Sequence, residues 1–258
     1  MDRSQNRIYH EQVVIITGAS RGLGREMACQ LAGQGAWLVL AARDSSRLEE
    51  VAGECLKRGE NLGCRVIAIP TDISEEAQCE RLIEQALAAY NRIDILINNA
   101  ATMPEGWFRD TEDLAPFETM LRVNYLGSVY CTRTALPSLL KNRGRVAAVC
   151  SLAGRMGIPR YSGYAASKHA MAGFFDSLRI ELSNSGVSVT VIYPGTISKG
   201  PAEAGMPVGE VARRALKAIA ARKDESVLDL QGKLGLWMKL AAPGLLDRIT
   251  LNAMKKRK

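Results

Sequence analysis

A short β-branched apolar run, Val13 to Thr17, passes directly into Gly18-Ala19-Ser20-Arg21-Gly22-Leu23-Gly24, and helical periodicity begins at once beyond it. Strand, glycine loop and helix in immediate succession leave few folds open. Gly18 allows a tight turn, Gly22 lets backbone N–H groups approach an anion, and Gly24 lets the helix pack closely on the sheet. The helix N-terminus carries free N–H groups and the positive end of its dipole, so the loop reads as a seat for a pyrophosphate. Its spacing is GxxxGxG, distinct from the GxGxxG form of the dinucleotide fingerprint.

The rest of the chain repeats the alternation. Candidate strands run from Val13 to Thr17, Trp37 to Ala41, Arg65 to Ile69, Asp94 to Ile97, Arg145 to Cys150, Val187 to Ile192 and Ser226 to Leu230. Between them, Arg25 to Gly33, Ser45 to Arg58, Glu75 to Tyr90, Phe117 to Asn142, Tyr164 to Ser185 and Val208 to Arg222 carry apolar residues at helical spacing. This pattern predicts a doubly wound α/β fold of the Rossmann type: a seven-stranded, mostly parallel sheet with helices on both faces, in one domain spanning 1–258. Ligands of such sheets lie at the carboxyl ends of the strands.

Two side-chain groups carry chemistry. Tyr164 and Lys168 are four residues apart, hence on one helix face, and Ser151 follows the fifth strand. A phenol ionises near pH ~10, and an adjacent ammonium favours the phenolate; Lys168 is expected to pull the Tyr164 value down. Ser151 then orients a substrate oxygen while Tyr164 gives or takes the proton. At the end of the second strand, neutral Ala42 stands where an acid would bind a free ribose 2′-hydroxyl, and Arg43 follows. An arginine there suits a 2′-phosphate, and Arg21 of the glycine loop can converge on it, so NADP(H) is the expected cofactor. Asp44 is expected to face solvent or cap the helix that starts near Ser45.

With these residues in place, the chain from Val13 to about Gly195 resembles the short-chain dehydrogenase/reductase family. Asn98-Asn99-Ala100-Ala101 is similar to the family's NNAG segment, with alanine at its end, and Thr71-Asp72-Ile73 to the turn that meets the adenine. Asp72 equally suits the cap of a helix beginning near Ser74. Asn124 resembles the helix-interrupting asparagine that holds a water on the way to the lysine, and Pro194-Gly195 completes the match. The resemblance implies a catalytic set of Ser151, Tyr164, Lys168 and Asn124. It implies cofactor contacts from Gly18, Ser20, Arg21, Gly22, Leu23, Gly24, Arg43, Asp72, Ile73, Asn98, Ala100, Tyr164, Lys168, Pro194, Gly195 and Ile197, with Lys168 on the nicotinamide ribose. Lys199 stands where a threonine usually grips the nicotinamide amide, leaving Thr196 or Ser198 as substitutes. The segments Phe117 to Asn142 and Tyr164 to Ser185 resemble the pair through which family members form homodimers or homotetramers.

Composition narrows the classes. Net charge is +7, but only 5% of residues are aromatic and no basic run alternates with them, so nucleic acid is not an expected partner. Two histidines without clustered partners argue against a metal site. Six cysteines without a CxxC pair, and a polar start without the apolar middle of a signal peptide, point to reduced thiols and a cytoplasmic protein. Ala153, Gly154, Met156, Ile158, Pro159, Tyr161, Met103, Trp107 and Phe108 suggest a mainly apolar pocket for a carbonyl or alcohol substrate. The apolar-basic segment 231–258, ending in Lys255, Lys256, Arg257 and Lys258, has three readings: weak contact with an anionic membrane, a subunit contact, or cover for the core. The function expected is hydride transfer between NADP(H) and an apolar ketone or secondary alcohol. The alternatives are a nucleotide-sensing protein without turnover and an epimerase or dehydratase of the extended family.

Overall fold

All five side chains of Val13–Thr17 (β1) are buried, as befits a strand covered on both faces. The computed structural model describes residues 8–198, 200 and 203–255. β1 lies inside a parallel sheet whose other strands are Trp37–Ala42 (β2), Arg65–Pro70 (β3), Ile95–Asn98 (β4), Arg145–Val149 (β5), Ser188–Tyr193 (β6) and Glu225–Val227 (β9). Their order is β3-β2-β1-β4-β5-β6-β9, and every pairing is parallel. The chain therefore builds outward in opposite directions from β1 and β4, and their carboxyl ends leave the crevice in which such sheets bind ligands. The expected seven-stranded doubly wound sheet is the one found.

Helices Gly22–Ala32 (α1), Ser45–Gly59 (α2) and Val208–Ala220 (α7) bury their apolar stripes on one face. Glu76–Tyr90 (α3), Gly127–Lys141 (α5) and Ser162–Glu181 (α6) cover the other. The short helix Ala115–Leu121 (α4) leads into α5, and a two-stranded ribbon joins Ile197–Ser198 (β7) to Met206–Pro207 (β8). The six cysteines are free thiols.

Three expectations change. Phe117 to Asn142 is not one helix: a π turn, Arg122–Leu126, separates α4 from α5 and carries Asn124. The last strand stops at Val227 instead of Leu230, because the Asp229 carboxylate accepts the Gly232 amide at 2.5 Å and caps the helix Leu230–Ala241 (α8). The third concerns the tail. In α8 and the following helix Pro243–Lys255 (α9), Leu246 is buried, but Leu230, Leu234, Trp237, Leu240, Leu245, Ile249 and Leu251 are exposed. The segment's inward side carries Gly232, Gly235 and Lys239, so most of its apolar residues are turned outward. Lys199 and, of the basic cluster, Lys256, Arg257 and Lys258 lie outside the described residues.

Candidate active site

The glycine loop is shaped by two close approaches. Gly18 has φ +67°, and a Cβ there would lie 2.7 Å from the Ala100 Cα. At Gly24 a Cβ would meet the Asn99 amide nitrogen at 2.5 Å and collide with the Gly18 carbonyl oxygen. Thr17 and Asn99 clasp this loop. The Thr17 hydroxyl accepts the Asn99 and Ala100 amides at 3.0 and 3.1 Å, and the Asn99 side chain donates to the Thr17 and Gly18 carbonyls at 2.8 and 3.2 Å. Arg21 precedes α1 without a capping side-chain bond, which leaves the first-turn N–H groups without a side-chain cap.

A groove of about 760 Å³ opens here. It gathers Gly18, Ser20, Arg21, Gly22, Leu23, Gly24, Arg43, Asp72, Ile73 and Ala100 from the expected cofactor set, and adds Ala42, Asp44, Arg47, Asn99 and Thr102. Arg47, the third guanidinium of the groove, was absent from the sequence-based set; its signal was its place on the first turn of α2, three residues after Asp44. Asp44 does cap α2, accepting the Arg47 amide at 3.1 Å, and its other oxygen is 3.4 Å from the Arg47 guanidinium. Asp72 accepts the Ser74 amide and hydroxyl at 3.0 and 2.7 Å, closing a turn ahead of α3, and lies 3.9 Å from Arg43. It is thus a turn residue on the groove wall; the α3 cap position is Glu75.

Asn98 does not line the groove. Strand alternation turns its side chain under the sheet, where it donates to Thr132 at 2.9 Å, and Asn99 takes the groove position. Pro194, Gly195 and Ile197 also lie outside the groove wall, past β6. The Pro194 carbonyl accepts the Leu152 amide at 3.3 Å, Gly195 packs on the Asp229 carboxylate, and Ile197 pairs with Met206. Of the substitutes for Lys199, Ser198 has its hydroxyl bonded to the Gly200 carbonyl at 2.5 Å.

The second cluster lies past the end of β5. Ser151 opens the turn Leu152–Gly154, its hydroxyl accepting the Ala153 amide at 3.2 Å. Tyr164 sits on the first turn of α6, where the Ser151 hydroxyl acts on its phenol. Gly154 passes so close to α6 that a Cβ would stand 2.9 Å from the Lys168 carbonyl, which keeps Ser151 beside that helix. Burial pushes the Tyr164 phenol up to about 12, against the Ser151 hydroxyl, which favours the phenolate. The downward pull expected from Lys168 is not found. Lys168 is fully buried, donates to the Val149 carbonyl at 2.9 Å, and is itself held below the usual lysine range by desolvation.

Asn124 is also fully buried and its amide is fully engaged. Its oxygen accepts the Thr102 amide at 2.8 Å, and its nitrogen donates to the Thr102 carbonyl and the Ser167 hydroxyl, both at 2.9 Å. Ser167 in turn donates to the Tyr164 carbonyl at 2.7 Å. The side chain therefore reaches Ser167, one residue short of Lys168, and fixes the turn of α6 that carries the phenol. Ser151, Tyr164 and Lys168 come together as expected, and Asn124 braces them.

Comparison with known proteins agrees with this geometry. A family model described as short chain dehydrogenase matches residues 12–205. The chain is similar to the 11-beta-hydroxysteroid dehydrogenase-like 4A of Arabidopsis thaliana, with 40% identity over 73% of this chain and 62% of that protein. It thus spans less than two thirds of that relative's length. It is similar along its whole length to the dehydrogenase/reductase SDR family member 7B of Mus musculus, with 30% identity covering 86% of the mouse protein. In fold it is similar to a short chain dehydrogenase/reductase from Burkholderia phymatum crystallised in complex with NAD: TM-score 0.82, 23% identity, covering 92% of this chain and 95% of that one.

Proposed function

Because this chain belongs to the short-chain dehydrogenase/reductase family, we propose that it moves a hydride between NADP(H) and an apolar ketone or secondary alcohol, with Tyr164 as the proton donor and acceptor. The observation that carries this reading is the gathering of Ser151, Tyr164 and Lys168 past the carboxyl end of β5, with the Ser151 hydroxyl acting on the phenol and the Lys168 ammonium sealed 5.9 Å from its ring.

The groove suits a dinucleotide. The uncapped first turn of α1 at Gly22, Leu23 and Gly24 would hold the pyrophosphate, and the approach at Gly18 keeps the loop low enough for it to pass. Arg43, Arg21 and Arg47 would surround a 2′-phosphate. Neither nearby acid competes strongly for that place: Asp44 is committed to the α2 cap, and Asp72 to Ser74 and Arg43. A bound nicotinamide supplies or accepts the hydride. Ser151 donates to the substrate oxygen, and Tyr164, neutral at physiological pH, delivers the proton as charge builds there. That protonation state favours carbonyl reduction. Lys168 has its ammonium on the Val149 carbonyl, and its part is to hold positive charge beneath the site.

The apolar substrate class draws on Met156, Ile158 and Pro159 following Ser151, and on the hydroxysteroid dehydrogenase names of similar proteins. NADPH oxidation measured against ketones graded in size and polarity tests it; turnover confined to small polar carbonyls would overturn it. We also propose a homodimer or homotetramer, for which exposed Leu140 on α5 and Ile180 on α6 offer apolar surface. A monomer by light scattering would reject that assembly.

A further inference from the structure

Helix α8 is amphipathic in the wrong sense for a helix that merely packs on its own domain. Leu230, Leu234 and Trp237 fall at i, i+4 and i+7, so they form one stripe. That stripe faces out: the three residues are 80%, 58% and 69% exposed, and neighbouring Leu240 is 86% exposed. The opposite side faces the body. A Cβ on Gly232 would press on Leu152 at 2.9 Å, one on Gly235 would touch Met156, and Lys239 donates to the Arg155 carbonyl. Leu152, Arg155 and Met156 belong to the segment that follows Ser151. The helix thus rests its glycine side on the rim of the candidate active site and points its apolar side away. α9 continues the pattern, burying Leu246 and exposing Leu245 and Ile249.

We propose that the α8–α9 pair seats on an anionic lipid surface and holds the rim beside Ser151 and Tyr164 against it. The choice of occupant rests on charge. Exposed Lys233 lies beside the Leu230–Leu234–Trp237 stripe and exposed Arg248 beside Leu245–Ile249, with Asp247 the one exposed acid between Leu230 and Asn252. The sequence continues through Lys255, Lys256, Arg257 and Lys258. An apolar stripe flanked by cations, with a tryptophan on it, matches the boundary between headgroups and acyl chains. A second copy docked on the same surface would set this cationic rim against its own image. The family match ends at residue 205, so it does not extend to this pair. That this rim borders a catalytic site rests on the reading of Ser151 and Tyr164 given above, but the docking does not.

The test is flotation of the full chain with vesicles of phosphatidylcholine alone or of equimolar phosphatidylserine and phosphatidylcholine. The expected result is binding to the anionic vesicles, weakened by added salt and by Lys233→Gln/Arg248→Gln. Leu234→Gln/Trp237→Gln/Leu240→Gln should bind about tenfold or more weakly. These side chains are exposed, so circular dichroism and NADPH affinity should not change. Should that variant fail to fold, brominated lipid decides: it should quench the wild-type emission and spare Trp237→Phe. A wild-type chain that stays unbound overturns the proposal, as does unchanged binding by a folded triple variant. A triple variant that turns from dimer to monomer while neither form floats identifies the face as a contact between copies and also overturns it. Because no arm reads turnover, failure here is separable from failure of the proposed reaction.

Discussion

The ammonium of Lys168 lies 5.9 Å from the centre of the Tyr164 ring and spends a hydrogen bond on the Val149 carbonyl, not on the phenol. The two residues whose spacing most clearly announces a reaction are thus neighbours without a direct bond. The phenol stays a neutral donor, and the ammonium is a buried charge with no carboxylate partner among the described residues.

Tyr164→Phe should remove the proton donor and leave the groove intact. Turnover should fall by about two to four orders of magnitude, with cofactor affinity unchanged. Steady-state kinetics beside a cofactor titration checks both halves, and undiminished turnover would remove Tyr164 from the mechanism.

The direction of the Tyr164 shift predicts opposite pH profiles for the two directions. A donor that ionises only at about 12 stays protonated well into the alkaline range, so the reduction rate should be flat from neutral pH upward. Oxidation needs the phenolate, whose fraction grows about tenfold per pH unit below that value, so its rate should climb. Paired profiles with a matched ketone and alcohol decide it; an oxidation rate that levels off near neutrality would show that bound ligands bring the phenol far down.

Lys168→Met should abolish efficient turnover yet stabilise the fold by about 1 to 4 kcal/mol, because it replaces an unpaired buried charge with an apolar chain of similar length. The sign follows from linkage. The folded-state value is depressed, so between it and the ordinary lysine value the unfolded chain binds more protons, and wild-type stability rises with pH through that window. The variant should start higher and lack this rise. Thermal unfolding across alkaline pH measures both, and a lower midpoint for the variant would refute the account.

Arg43→Ala should weaken NADPH binding by about 1.5 to 3 kcal/mol and NADH binding much less, as the loss of a charged hydrogen bond to a 2′-phosphate requires. Arg47→Ala should follow the same pattern with a smaller loss, since its guanidinium is shared with Asp44. Equal losses for the two cofactors, or a wild-type preference for NADH, would overturn the assignment.

Two glycines should respond with opposite signs. Gly24→Ala forces a methyl group against the Gly18 carbonyl and Asn99, and should cost about 1 to 3 kcal/mol along with cofactor affinity. Gly53 lies within α2 with open space around a Cβ, so Gly53→Ala should stabilise by about 0.5 to 1 kcal/mol. Denaturant unfolding of the pair checks that contact geometry, not glycine content, sets the outcome.

The sheet was legible because continuous apolar runs and helical stripes report burial directly, and all seven strands begin within a residue of the expected start. The glycine loop and Tyr164 with Lys168 were legible because fixed spacings fix faces. Directions were harder. Spacing puts Lys168 on the face of Tyr164 but says nothing of the Val149 carbonyl that claims its proton. The apolar count of the C-terminal stretch is high wherever its helices point; only Gly232 and Gly235 against Leu152 and Met156 show that the apolar side is turned outward. Asn98 and Asn99 are adjacent in sequence, and strand parity decided which one reached the groove.

The clasp between Thr17 and Asn99 has a kinetic meaning. Four hydrogen bonds tie the ends of β1 and β4 around the glycine turn and are satisfied entirely by protein atoms. The turn loses its conformational freedom when the chain folds, so an arriving dinucleotide meets a rigid seat and need not order it. Association should then be limited by diffusion and charge steering in place of loop closure, and exchange of the Asn99 and Ala100 amides that donate to Thr17 should already be slow before any ligand is added.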